Sequence, residues 1–284
     1  MVTRMKKILI TGKNSYIGTS FEKWMSQFPD DYAVDTIDMR DVSWRIHDFS
    51  KYDVVFHVAG IAHVKETKDN RLMYFNINRD LAYETAQKAK SEGVKQFIFL
   101  STMSVYGIDK GIINENIPLQ PNTSYGKSKF EAEQLINKLN DEAFSVAILR
   151  PPMVYGKNCK GNYQRLAELA CNTPIFPMVD NKRSMIYIDN LAGFVKVIID
   201  KKSGGLYFPQ NNEYVNTSDL VKLIAKVHGK RVIMTKVFNP ILKLLNFSVV
   251  NKVFCDLIYD KSLSDYESGY ILYGLSDSIE LTEE

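Results

Sequence analysis

With 284 residues, 45% of them hydrophobic, and a formal net charge of +3, the chain is long enough for one large domain or two intimate ones. Its lysines and arginines are scattered and form no stripe, which argues against a nucleic-acid partner. The three cysteines, Cys159, Cys171 and Cys255, stand far apart in no metal-like pairing; they read as reduced thiols of a cytoplasmic protein, and no metal is expected. The basic start, Met1 to Lys7, is followed by only Ile8-Leu9-Ile10 before polar residues resume, too short for a signal-peptide core.

The first predicted strand, Lys7–Ile10, runs into a turn with glycine at both ends, Gly12 and Gly18, and a helix follows from about Tyr16 to Phe28. A dinucleotide pyrophosphate needs this arrangement: backbone without intervening Cβ atoms, beside a helix N-terminus whose N–H groups and dipole attract anions. The strict fingerprint is Gly-x-Gly-x-x-Gly. Here Ser15 stands midway between the glycines, as in the Gly-x-x-Gly-x-x-Gly turn of short-chain dehydrogenases with serine for the central glycine. Its hydroxyl could donate to a phosphate, while its Cβ narrows the approach. The alternative is an ordinary β–α turn.

A second strand, Tyr32–Ile37, ends at Asp38, 20 residues after Gly18, where an acid would bind the adenosine ribose hydroxyls. Arg40 and Lys13 could instead pair with a 2′-phosphate, so NAD and NADP both remain open; Arg40 also reads as a solvated loop charge. Then come a β-rich run, Val54–Val58, and a helical stretch, Leu72–Glu92, stopped by Gly93. Gln96–Leu100 and Ser145–Leu149 are almost wholly apolar, as parallel strands buried on both faces are, and a charged helix spans Lys127–Asn140 between them. This alternation predicts an α/β fold, a doubly wound parallel sheet of Rossmann type, with ligands beyond the carboxyl ends of its strands. After Arg150-Pro151-Pro152 the pattern loosens, with one more core strand near Met185–Ile188.

The predicted division is a dinucleotide-binding domain over residues 1–155, with a return segment at about 184–200, and a smaller, discontinuous substrate-binding domain over 156–183 and 201–284. The apolar region Val237–Ile258 is interrupted by Lys243, Asn246, Asn251 and Lys252 and is no membrane span. Its apolar pairs, from Ile241/Leu242 to Leu257/Ile258, recur at helical spacing after Pro240. A helix packed on its own domain is the expectation, with a subunit contact in a homodimer or a membrane-surface contact as alternatives. The acidic end, Glu280–Glu284, is expected to fray.

Tyr-x-x-x-Lys occurs twice, at Tyr106/Lys110 and Tyr125/Lys129. Gly107 and Gly111 place the first in a loop. Tyr125 opens a helical run in which residues i and i+4 stand one above the other. A phenol of ordinary pKa is a poor base at neutral pH; a neighbouring ammonium favours the phenolate. Thr102, just past the strand Gln96–Leu100, could share a hydrogen bond with the same substrate oxygen. Thr102, Tyr125 and Lys129 are therefore the catalytic candidates, an ordinary surface helix being the alternative for the pair.

Five stretches carry a resemblance: Thr11–Gly18, Phe56-His57-Val58-Ala59-Gly60, Leu100–Gly107, Tyr125-Gly126-Lys127-Ser128-Lys129 and Leu149–Gly156. In this order they resemble the extended short-chain dehydrogenases of the NAD-dependent epimerase/dehydratase type over essentially the whole chain. Gly161–Leu166 and Arg183–Asn190 are similar to bacterial capsule and O-antigen enzymes that reduce or epimerise C4 of UDP-N-acetyl sugars, most closely the capsule 4-keto reductases. The resemblance implies an NAD or NADP cofactor held by Gly12, Ser15, Tyr16, Ile17, Gly18, Asp38, Arg40, Ala59, Gly60, Asn78, Tyr125 and Lys129. It makes Asn78 a helix-start asparagine supporting the active-site wall, and puts Pro152 and Met153 near the nicotinamide. Asn162 would touch the nucleotide sugar and Arg183 would grip the UDP diphosphate. Met103 and Ser104 stand where the sugar 4,6-dehydratases carry an Asp-Glu pair, which argues against dehydration.

The implied activity is hydride transfer at C4 of a UDP-hexose in surface-polysaccharide precursor synthesis. Reduction of a 4-ketone is the leading form and 4-epimerisation the alternative. A dehydrogenase of apolar ketones would have no diphosphate for Arg183, and a non-catalytic dinucleotide sensor would not need Tyr125 with Lys129.

Overall fold

The computed structural model describes residues 4–62, 64, 66–240, 248–266 and 269–284. The chain forms two compact units. The first comprises residues 1–107, 119–151 and 192–207, the second residues 108–118, 152–191 and 208–284.

The first unit is built on a six-stranded sheet. In chain order its strands are β1 (Lys6–Thr11), β2 (Tyr32–Ile37), β3 (Val54–His57), β4 (Gln96–Leu100), β6 (Ser145–Leu149) and β10 (Gly205–Tyr207). Their spatial order is β10-β6-β4-β3-β1-β2, and every pairing is parallel. The apolar runs of β1, β3 and β4 follow from burial on both faces: Ile8, Leu9, Ile10, Val55, Phe56, Phe97, Ile98 and Phe99 have no exposed surface. The crossovers include helices α1 (Tyr16–Met25) and α3 (Ala82–Ser91), and α4 (Ser124–Asn137) leads into β6. Alanines 82, 86 and 89 of α3 and Ala132 with Ile136 of α4 join the core of Trp44, Phe49, Phe97 and Phe99. The strand order reverses between β1 and β3, and the carboxyl ends of the strands at such a reversal are where doubly wound sheets bind their ligands.

The stretch expected as one helix over Leu72–Glu92 comes in three parts: α2 (Arg71–Phe75), a wide π-turn over Asn76–Leu81, and α3. Asn78 therefore lies inside the helical stretch, not at its start. The return to the sheet also differs from expectation. Met185–Tyr187 (β9) pairs with β7 (Met153–Tyr155) in a separate two-stranded sheet, and the sixth strand of the main sheet is β10. That edge strand is short and largely exposed, and so carries little apolar signal.

The second unit also holds the parallel pairs β5 (Gly111–Ile113) with β12 (Leu257–Tyr259) and β8 (Ile175–Pro177) with β11 (Ile233–Thr235). Leu257/Ile258, expected on a helix, thus belong to a strand; the helix before it covers Ser248–Phe254. Ile241/Leu242 and Leu244/Leu245 lie outside the described residues. Among those described, no helix is long and apolar enough to cross a membrane. The acidic terminus is a helix, Leu275–Glu283, and not a frayed end. It buries Ser278 and Ile279, and Glu283 accepts hydrogen bonds from the Tyr163 hydroxyl at 2.6 Å and pairs with His228 at 2.7 Å.

At the end of β3, His57 is fully buried against the rings of Phe97 and Phe99 and bonds the Thr11 hydroxyl through Nδ1 at 2.7 Å. Burial drives its pKa down from 6.5 to about 3, with the Lys129 charge adding to the effect. The unfolded chain therefore binds a proton that the fold refuses, so this contribution to stability is complete above pH 6.5 and falls as pH drops toward 3. Its loss between neutral pH and pH 5 is about 2 kcal/mol. Urea denaturation at pH 7, 6 and 5 should show this slope, and His57→Gln should flatten it. Equal slopes in the two proteins would place the acid sensitivity elsewhere.

Candidate active site

The turn after β1 lies at the strand-order reversal. Gly12 has φ of +116°, and a Cβ there would lie 2.9 Å from the Ala59 nitrogen. Only glycine takes this backbone conformation and lets the two loops pack this closely. Gly12 and Lys13 N–H groups both donate to the Ile37 carbonyl, fixing the turn against β2. Ser15 is the N-cap of α1: its hydroxyl oxygen accepts the Gly18 N–H at 3.2 Å, which uses one of the first-turn donors that would face an anion. Tyr16 and Ile17 are the first two residues of that turn. Gly12→Ala should destabilise the fold and abolish measurable NADH and NADPH binding, read by fluorescence titration; retained affinity in a folded variant would remove this turn from the cofactor site.

At the end of β2, Arg40 clasps Asp38. Nε lies 2.9 and 3.2 Å from the two carboxylate oxygens, Nη2 2.6 Å from one, and the Arg40 backbone N–H adds a bond at 2.9 Å. These bonds hold the Asp38 carboxyl at about 2. The pair presents an anion for ribose hydroxyls and a cation for a 2′-phosphate side by side.

Beyond β4, Thr102 caps a short 3₁₀ turn, Met103–Tyr106, by accepting the Ser104 N–H at 3.1 Å. Helix α4 begins at Ser124, capped by Thr123. It lies so close to this turn that a Cβ on Gly126 would stand 2.7 Å from the Ser104 carbonyl oxygen. That approach sets the Tyr125 phenol beside the Thr102 hydroxyl, whose hydrogen bond partly offsets the rise in the phenol's pKa caused by burial. One turn on, Lys129 is buried, donates to the Leu100 carbonyl at 2.9 Å and sits 4.7 Å over the Phe99 ring. Burial lowers its pKa to about 8, against the opposing charge of Glu133.

One expectation is corrected here. Lys129 does not draw the Tyr125 phenol down; burial pushes that phenol up. Positions i and i+4 share a helix face, but the ammonium is committed to the end of β4.

Asn78, fully buried, closes the wall. It accepts the Ile61 N–H at 2.8 Å and donates to the Ile61 carbonyl at 3.1 Å and the Ser128 hydroxyl at 3.2 Å. The Cβ position of Gly60 is 2.9 Å from Asn78 Oδ1 and 3.3 Å from Lys129 Nζ. The first unit thus gathers Gly12, Ala59, Gly60, Asn78, Thr102, Tyr125 and Lys129 along one sheet edge. Tyr106 of the other Tyr-x-x-x-Lys pair is buried, bonded to Arg150 at 3.1 Å, and its turn ends at Gly107 with φ of +68°.

The remaining candidates belong to the second unit. Pro152 immediately precedes β7, whose first residue is Met153. Asn162 is the exposed first residue of α5 (Asn162–Asn172). Arg183 bridges Val215 and Leu257 in extended backbone. It is half-buried and donates to the Cys255 carbonyl at 3.2 Å. Burial pulls its pKa to about 10, and among the described residues no carboxylate forms an ion pair with it.

Sequence reasoning passed over two groups at this edge, Glu133 and Arg150. Glu133 follows Lys129 by one turn on the buried face of α4; that spacing was the available signal.

Comparison with known proteins places this architecture. The UDP-glucose 4-epimerase of Vibrio cholerae is 29% identical over 250 residues, covering 78% of this chain and 75% of the relative. The structure of UDP-glucuronic acid 4-epimerase from Bacillus cereus, in complex with NAD, superposes with a TM-score of 0.73 at 21% identity, covering 98% of this chain and 97% of the other. A dTDP-4-dehydrorhamnose reductase from Clostridium acetobutylicum shares the fold with a TM-score of 0.66 at 24% identity, covering 81% and 82%. The NAD dependent epimerase/dehydratase family matches residues 8–208, and the chain belongs to that family.

Proposed function

We propose that the protein reduces the 4-ketone of a UDP-hexose, with Tyr125 as general acid. The observation that carries this reading is the placement of Tyr125: the close approach of α4 to the Thr102 turn sets its phenol beside the Thr102 hydroxyl, one helical turn from the buried Lys129, and the phenol, whose pKa burial raises further, holds at neutral pH the proton that an oxygen at C4 must receive. The residues at the β1 turn fit a dinucleotide, because Gly12 lets this turn pack against the Ala59 backbone where a Cβ would collide, and the turn leads into the N-terminus of α1, whose first-turn N–H groups and dipole suit a pyrophosphate. When bound, NADH or NADPH supplies the hydride to the carbonyl carbon. Thr102 orients the carbonyl oxygen toward the phenol, Tyr125 delivers the proton to that oxygen, and Lys129 holds a positive charge behind both. Asn78 keeps the wall rigid through its three hydrogen bonds. Asn162 and Arg183 are the groups for the nucleotide sugar, Arg183 offering its planar donors to the diphosphate.

A second reading, 4-epimerisation, uses the same groups with the keto intermediate turning over in the pocket, and the relationship to the Vibrio cholerae epimerase supports it. Ser15 favours reduction. By taking the Gly18 N–H it weakens the grip on a pyrophosphate, which suits a cofactor exchanged at every turnover. Incubation with a panel of UDP-sugars and their 4-keto derivatives, with each cofactor, should give reduced product only from the ketones. Interconversion of 4-epimers would establish the second reading.

A further inference from the structure

We propose that Glu133 and Arg150 form a positioning network for the proton-transfer groups, in which one buried carboxylate fixes the strand end that carries Thr102 and sustains the positive charge of Lys129. The inference rests on the reading of Tyr125, Thr102 and Lys129 given above. Ser101 and Arg150 are the residues just past β4 and β6, strands paired at Leu100 and Leu149. Glu133, reaching in from α4, holds both. It accepts from the Ser101 hydroxyl and from Arg150, whose Nε lies 3.0 and 3.2 Å and Nη2 2.5 Å from the carboxylate oxygens. Arg150 Nη1 continues to the Tyr106 hydroxyl at 3.1 Å, at the far end of the turn that Thr102 caps. Thr102 is thus anchored on both sides, through Ser101 and through Tyr106.

The ion pair is 6% and 5% exposed. Burying two charges costs so much solvation that an apolar pair of similar volume is often equally stable, so stability alone does not account for it. The placement of Glu133 one turn after Lys129 supplies a reason. From β3 Lys129 faces His57, held neutral; from β4 the Phe99 ring and Leu100 carbonyl; from the π-turn Asn78; from its own helix Tyr125 and Glu133. Glu133 is the one anion among these, and it opposes the loss of the lysine proton that burial promotes.

The test uses the double variant Glu133→Gln/Arg150→Met, which removes both charges together, alongside Ser101→Ala and Glu133→Asp. NADH and NADPH affinity by fluorescence titration and kcat are measured from pH 6 to 10. Lys129 is also one of the residues proposed to hold the cofactor, so loss of its proton sets the alkaline limb of cofactor affinity; in the double variant that limb should move down by about one pH unit and kcat should fall about 10-fold. Glu133→Asp should return the limb toward its original position. Ser101→Ala should lower kcat several-fold with the limb unmoved. A folded double variant with the original limb and kcat would overturn the proposal. Should it not fold, an unchanged kcat in Ser101→Ala does the same. Full turnover in Tyr125→Phe would contradict the underlying reading of the acid, a result independent of the limb's position.

Discussion

Replacing Tyr125 by phenylalanine should lower turnover by about 10²- to 10⁴-fold, the usual effect of losing a general acid–base group, and leave cofactor affinity nearly unchanged. The change removes one oxygen. The phenyl ring can keep its edge contact with Tyr74, whose centroid is 6.4 Å away, and Gly126 still seats α4 on the Ser104 carbonyl, so Thr102 and Lys129 stay in place. Tyr106→Phe is the control, since it belongs to the other Tyr-x-x-x-Lys pair. Its hydroxyl bonds Arg150 and moves no proton to substrate, so its loss should lower turnover several-fold, as expected for a positioning group, far less than the loss of Tyr125. Steady-state kinetics of the two variants decide the matter, and comparable losses in both would mean that the proton donor is misassigned.

Arg183→Ala should weaken binding of UDP and of the UDP-sugar by about 10- to 100-fold, the effect of losing one or two charge-assisted hydrogen bonds, with NADH and NADPH affinity unchanged. A half-buried guanidinium whose pKa is pulled down by burial is an expensive group to leave without an anion. Cys255 supplies only a carbonyl. Lys182 and Lys252 take up the nearby acids, through a backbone bond to Asp256 and an ion pair with Asp109. The proposed diphosphate would supply the missing charge and match the planar fork, and Arg183→Lys should rescue only in part because it lacks that fork. UDP titrations showing no change in the alanine variant would remove the main residue-level support for a sugar nucleotide.

Much of the first unit was legible because its strands are buried on both faces. Gln96–Leu100 and Ser145–Leu149 read as strands from composition and are bounded at those residues, and Gly12 marked a turn that only glycine can make. What escaped the reading depends on partners distant in sequence. Leu257 and Ile258 are a strand because Gly111–Ile113 lies beside them; their apolar spacing fits a helix equally well. Glu280–Glu284 looked like a solvated tail, yet Tyr163 and His228 hold Glu283. The π-turn at Asn78 has no local signature, and its reward is tertiary, the bonds to Ile61 and Ser128. Glu133 sat unnoticed in a run of charged residues, because which of them faces inward depends on where Arg150 ends its strand.

The claim that hydride and proton are delivered to a ketone from exchangeable cofactor is tested most directly by cofactor content and stoichiometry. Protein purified without added nucleotide should carry little NAD or NADP and, given a UDP-4-keto-hexose, should oxidise one NADH or NADPH for each ketone consumed. Tightly bound NAD after purification, with UDP-glucose and UDP-galactose or their N-acetyl forms interconverting without added cofactor, would contradict the account and establish an epimerase.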